Sequence, residues 1–317
     1  MKYHHDVHTH TEISSCCSDR LATPENFIRA AAELGHTAFG FSNHLWDEAI
    51  AGESSFYHKQ TFAHILPEKE RILSLDPCGM KILFGAEVEY CGKTDTLAIK
   101  AENASVLDYV LVPHTHTHME GFVIPAVEPL LKFREHFQKQ LEEAFPWITP
   151  KKAQSFANSF KLADAMAALD YSWEEYDPIV AEFMMSSYEQ LLENSEFEKL
   201  TRTIPVIIAH PFYPCGTHGR IAEEYELIDK KRLRDSFLKT AKMGVAFDIN
   251  VNTYRRMDDL EKEPLVKVMR LAKECGVKFA FGTDAHSVES LATIDKGDAI
   301  AEAIGITDND VFDLVKC

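Results

Sequence analysis

The sequence predicts an α/β fold in which a mostly parallel sheet closes into a barrel, and three observations predict it. Short runs rich in Val, Ile and Phe alternate with segments of helical periodicity. The runs are continuously apolar, as strands buried on both faces are. Metal-binding side chains stand at the end of nearly every run, and in a parallel α/β barrel the strand ends converge on the face that carries the chemistry. A chain of 317 residues suits a single barrel domain spanning residues 1–317.

The candidate strands, in order, are Tyr3 to His8, Thr37 to Ser42 (TAFGFS), Lys81 to Tyr90 (KILFGAEVEY), Leu107 to His114 (LDYVLVPH), Pro205 to His210 (PVIIAH), Gly244 to Asn250 (GVAFDIN) and Val277 to Asp284 (VKFAFGTD). Between the first two, Thr23-Pro24-Glu25 supplies an N-cap, a first-turn proline and a first-turn acid for the helix ENFIRAAAELG, which Gly35 can end. Further helices are predicted near 61–75, 127–145, 230–243, 262–275 and 294–304. From about 146 to 200 the rhythm breaks: amphipathic helices follow one another with no strand, which reads as a helical insertion in one connection. Its Trp147, Phe156, Phe160, Met166, Tyr171 and Trp173 read as the insertion's own small core, with a pocket lining as the alternative. No internal repeat or low-complexity tract interrupts the chain.

Composition removes several classes of function. With 50 acidic against 33 basic side chains the net charge is −17, which argues against nucleic acid as a partner, because such binding draws its affinity from clustered Lys and Arg. No apolar run approaches the roughly 20 residues that cross a bilayer, and MKYHHDVHTHTE has no apolar leader core, so a cytoplasmic location without membrane contact is expected. Seven cysteines without a CxxC pair do not suggest a disulfide framework, and most read as small buried hydrophobes.

The chemistry lies in where the 15 histidines fall. His8 and His10 close the first run, His44 follows the second in SNH, and Glu87 ends the third in GAE. His114 to His118 (HTHTH) follow the fourth, His210 ends the fifth in AHP, and Asp284 and His286 end the last in GTDAH. Any one of these alone is as consistent with a capping histidine. Together they point to a multinuclear site, because neutral imidazoles and carboxylates suit Zn, Mn or Fe, and the i, i+2 spacing of His8 and His10 puts both rings on one side of a strand.

HTHT, NH, GAE, the later His, AHP and TDAH, in this order, resemble the motifs of the polymerase and histidinol phosphatase (PHP) superfamily over nearly the whole chain outside 146–200. The resemblance implies a distorted seven-stranded β/α barrel of TIM-like form holding two to three divalent metal ions. It implies one ion on His8, His10 and Asp284, with Glu87 bridging to a second on His114 and His210, and a third on His44 and His286. Histidinol-phosphatase-like members often place a histidine where Cys16 stands here, with Cys17 next to it and Asp19 three residues beyond. Thiolate suits zinc better than manganese and carboxylate serves either, so Asp19 ranks ahead of Cys16 as the remaining ligand.

Metals around a bridging carboxylate can supply hydroxide near neutral pH and neutralise phosphate oxygens. Glu87, Asp284 and His210 are read as the catalytic members of the set. A phosphate also wants a planar fork of donors: Arg255-Arg256 follow the sixth run and Arg220 follows the fifth, and the resemblance favours Arg255. His116, His118 and His218 remain for leaving-group protonation or substrate binding, since HTHTH on a continuing strand turns 114, 116 and 118 to one side. The expected function is a metal-dependent phosphomonoesterase acting on a small phosphorylated metabolite, with L-histidinol phosphate of histidine biosynthesis as the candidate that the resemblance implies. An amidohydrolase-type barrel is the second reading, disfavoured because a ligand lysine at the fourth strand is missing. A non-catalytic metal-binding PHP module is the third, disfavoured by the nearly full ligand set.

Overall fold

The computed structural model describes residues 4–53, 56–92, 94–116, 128–157, 165, 167–168, 172–214 and 220–316. Among them, seven strands run parallel in sequence order: β1 (His5–Asp6), β2 (Ala38–Phe41), β3 (Lys81–Val88), β4 (Tyr109–Pro113), β5 (Val206–Ala209), β6 (Ala246–Asn250) and β7 (Lys278–Gly282). Each pairs with the next in register, as Phe39 with Ile82, Ala86 with Val110 and Phe247 with Phe279. β7 returns to the first strand through Val7 N–H to the Phe281 carbonyl (3.0 Å), His10 N–H to the Ala285 carbonyl (2.9 Å) and a parallel bridge between Thr9 and Ala285. The sheet is therefore a nearly closed barrel of the predicted TIM-like class.

All seven predicted runs become strands, each trimmed at one end or both. β1 keeps two residues of regular ladder because the chain beyond Asp6 is already bridging to the far edge. The barrel interior is filled by Tyr109, whose hydroxyl donates to the Val7 carbonyl (2.6 Å). Its ring explains two glycines: a Cβ on Gly40 or on Gly85 would lie 2.5 Å from Tyr109 atoms.

The helices follow their punctuation. Pro24–Glu33 starts at Thr23, whose hydroxyl accepts the Asn26 N–H, and Gly35 behind it takes φ +78°. Phe62–Leu73, Glu128–Ala144, Lys230–Lys242 and Gly297–Ile304 lie within a few residues of prediction. Pro264–Glu274 begins later than position 262 because the Glu263 side chain caps it.

Part of the region 146–200 packs on the barrel. Pro150–Ala157 is followed by Trp173–Glu193, which opens on a Ser172/Glu175 capping box and buries Tyr176, Met184, Tyr188 and Leu191 in the same hydrophobic cluster as the barrel. Of the proposed small core, Trp147 and Phe156 are 75% and 52% exposed, so neither is a core residue. Trp173 packs against the main cluster, whereas Phe160, Met166 and Tyr171 lie outside the described residues. No helix among the described residues is long and apolar enough to cross a membrane.

Candidate metal centre

The strand ends deliver their side chains to one buried cluster centred on Glu87. His44 pairs with Glu87 in a short parallel ladder, so the two side chains stand side by side. The Glu87 Oε2 atom faces His8 Nε2 (3.5 Å), His10 Nε2 (3.3 Å) and His44 Nδ1 (3.3 Å). Its Oε1 atom faces His210 Nε2 (3.3 Å) and His116 Nε2 (3.6 Å). Asp284 Oδ1 stands 3.5 Å from His8 Nε2 and 3.2 Å from His10 Nε2. His286 stacks on His10 with ring centroids 4.6 Å apart, and its Nε2 lies 3.0 Å from Cys16 Sγ.

Two of these imidazoles are oriented from behind by carboxylates that the sequence analysis did not single out. Asp248 Oδ2 holds His8 Nδ1 at 2.8 Å, and Glu89 Oε2 holds His116 Nδ1 at 2.8 Å. His286 Nδ1 donates to the Asp284 carbonyl (2.8 Å). Anchoring one ring nitrogen so that the other points inward is how proteins prepare histidine for a metal. At the inward end His8 Nε2, His10 Nε2 and His44 Nδ1 are buried without a hydrogen-bond partner among the described residues, a costly arrangement unless a ligand meets them. Among the described residues, potential donor atoms gather in four overlapping groups: His8, His10 and Asp284; His10, His44 and Glu87; Glu87, His116 and His210; and His10, Cys16 and His286. The residues fit divalent cations.

The electrostatics agree with that fit. Burial alone would raise the Glu87 carboxyl, but the imidazoles gathered around it, His44 and His8 foremost with His10 and His210 beside them, hold it well below the usual carboxylate range. Burial likewise opposes charge on His116, and Glu89 outweighs it, taking the ring to about 9. His44 is pushed well below the ordinary histidine value, chiefly by burial.

Several sequence expectations change. His114 is not in the cluster: its ring lies between Tyr188 and Phe212, each 4.9 Å away, its Nε2 accepts the Phe212 N–H (3.1 Å), and burial lowers it to about 3. The strand ends at Pro113, so alternation does not carry on through HTHTH, and His116 takes the place expected of His114. His44 and His286 share no group of donors. Asp19 is spent on a local turn, accepting the Leu21 N–H (2.8 Å), and Cys16 is the side chain that reaches His286. Arg220 is bound by Asp177 through three contacts of 2.7–3.0 Å and lies over the Trp173 ring, which removes it as a ready phosphate clamp. Arg255 is exposed, and its guanidinium sits over the Tyr213 ring (5.6 Å) and donates to the Tyr213 hydroxyl, just beyond His210. The Arg256 side chain donates to the Lys262 carbonyl (3.3 Å). His118 and His218 lie outside the described residues.

The backbone is strained where it matters. His210 (φ +29°) and Asp284 (φ +54°) both occupy the left-handed region, which costs about 1–3 kcal/mol per residue. Gly282 is a second constraint: a Cβ there would meet His8 Cβ at 2.5 Å and Asp248 Oδ1 at 2.6 Å. Gly282→Ala should therefore lower stability by about 1–3 kcal/mol and weaken metal retention by prising His8 from Asp248. Thermal unfolding with metal titration checks this; unchanged values in both would show that the pair tolerates the intrusion.

Fold and site together define a metal-binding β/α barrel. The PHP domain family model matches residues 6–250, and the chain belongs to that family. Among solved structures it is similar to histidinol phosphate phosphatase from Lactococcus lactis subsp. lactis Il1403, determined in complex with zinc, L-histidinol and phosphate, at 15% identity and TM-score 0.57 over 98% of this chain and 97% of that one. A structure from Listeria monocytogenes, assigned as a histidinol phosphatase, aligns at 14% identity and TM-score 0.50 over 90% and 97% of the two chains. At such identities the likeness speaks to the fold. No curated protein matches the chain.

Proposed function

We propose that this protein is a metal-dependent phosphoesterase, a phosphomonoesterase acting on a small phosphorylated metabolite. The observation that carries the reading is the division of Glu87: one carboxylate oxygen faces His8, His10 and His44 while the other faces His116 and His210. A carboxylate presented on both edges to separate imidazole sets is the form of a bridging ligand. His8, His10, Asp284, His44, Glu87, His116 and His210 would hold two ions, and His286 with Cys16 would extend the site to a third. Divalent ions there supply an activated water and neutralise phosphate charge.

The chain's own groups do the rest. Asp248 and Glu89 fix the inward nitrogens of His8 and His116, so the cluster need not reorganise during turnover. Arg255, held on Tyr213, is the donor fork for the phosphate. The Lactococcus complex with L-histidinol and phosphate supports an amino-alcohol phosphate as the first substrate to try.

The test is purified, metal-loaded protein assayed against a generic aryl phosphate and a panel of phosphorylated metabolites. Two to three equivalents of Zn, Mn or Fe with turnover are expected. Metal without any turnover would favour a binding module, and less than one equivalent after reconstitution would end the reading. Arg255→Ala should raise KM with metal content unchanged, lowering kcat/KM by about one to two orders of magnitude, the loss of a charge-assisted bond. Arg255→Lys should recover part, since an ammonium lacks the fork, and Arg256→Ala should be silent. A wild-type Arg255→Ala enzyme would move the clamp elsewhere.

A further inference from the structure

We propose that Cys16 is a sulfur donor to the metal centre, so that the position formed by His10, Cys16 and His286 takes a thiophilic ion, zinc in preference to manganese. The proposal rests on the metal-dependent reading above and concerns the identity of one ligand within it.

The loop after β1 is built to present this sulfur. Two successive turns, Ser14 N–H to the Thr11 carbonyl and Cys17 N–H to the Ser14 carbonyl (both 3.0 Å), fold the chain back over the site. Asn43 Oδ1 pins the loop, accepting the Thr11 N–H (2.8 Å) and the Ser14 hydroxyl (3.0 Å). Cys17 ties it to the loop after the neighbouring β7 by donating to the His286 carbonyl (3.1 Å). Cys16 Sγ is thereby placed 3.0 Å from His286 Nε2.

The histidines are prepared to match. His286 Nδ1 gives its proton to the Asp284 carbonyl, which leaves the lone pair of Nε2 facing the sulfur. His10 stacks on the same ring with its Nε2 buried and without a hydrogen-bond partner among the described residues. Zn–S and Zn–N bonds of about 2.3 and 2.0 Å in a tetrahedral site set sulfur and nitrogen roughly 3.5 Å apart, so the pair needs to open by only about 0.5 Å from the 3.0 Å seen to admit the ion. A thiolate in the set strengthens the preference for zinc, whereas an oxygen and imidazole set also accepts manganese.

Cobalt(II) is the probe, because thiolate ligation adds a near-ultraviolet sulfur-to-cobalt charge-transfer band that imidazole and carboxylate do not. The wild-type protein should show this band, Cys16→Ser should lose it, and Cys17→Ser should keep it. A measurement needing no variant accompanies it: zinc should protect Cys16 from alkylation by iodoacetamide, read by peptide mass spectrometry, while Cys78, exposed at the amino end of β3, is alkylated equally with and without zinc. In equimolar zinc and manganese the wild type should fill this position with zinc, and Cys16→Asp should admit manganese. Bound cobalt without the band, a band that survives Cys16→Ser, or unprotected Cys16 overturns the sulfur ligand and leaves the metal-dependent reading standing. Failure to take up cobalt at all overturns both.

Discussion

Glu87→Gln is expected to lose bound metal and hydrolytic activity together, each by at least about 100-fold, more than the 10–100-fold typical of residues that merely orient a ligand. The amide has nearly the shape of the carboxylate, so the barrel should still close. It has one acceptor oxygen where Glu87 has two, and no charge to set against the imidazoles of His8, His10, His44, His116 and His210. Elemental analysis and aryl phosphate turnover on one preparation read both losses. A variant that keeps full metal content and activity would place the bridging carboxylate elsewhere.

His116→Ala and His114→Ala should fail in different ways, although the residues are two apart. His116 stands at Glu87 Oε1 with His210, so its loss should cost metal and activity by at least about 100-fold while the metal-free protein melts close to metal-free wild type. His114 packs between Tyr188 and Phe212 and accepts the Phe212 N–H, so its removal leaves a buried donor unmet and should cost about 1–3 kcal/mol of stability while metal is retained. Thermal unfolding and metal content, measured side by side, separate the two. Metal loss confined to His114→Ala would restore the assignment that the family resemblance implies.

The barrel was legible because its strands are buried on both faces and therefore announce themselves as unbroken apolar runs, and the site because ligands stand where those runs stop. What was not legible depends on geometry beyond a strand's end. HTHTH reads as three residues on one side only while the strand lasts, and it ends at Pro113. Asp248 and Glu89 left signals that went unused: an acid inside the apolar run FDIN must find a partner once buried, and the spacing EVE puts Glu89 on the same side as Glu87. Ligand chemistry in the sequence ranks Asp19 ahead of Cys16, and the order turns on geometry it does not carry, the local turn at Leu21 and the reach of Cys16 to His286. Nothing near Arg220 points to Asp177, a partner 43 residues away on a helix of the strandless segment.

The meeting of β1 and β7 has a temporal side. Asp6 receives the N–H and hydroxyl of Thr283, 277 residues further along the chain, and beside that contact His8 and His10 meet Asp284. His8 and His10 are thus made before the rest of the barrel, and the carboxylate they face comes with its last strand. Until the final strand arrives, His8 and His10 have no carboxylate from that side to share an ion with, and closing so long a loop is the most entropically demanding contact in the fold. An ion bound at the junction would fasten the first and last strands of the barrel to each other, so metal would act here as the clasp that rewards the barrel for having closed.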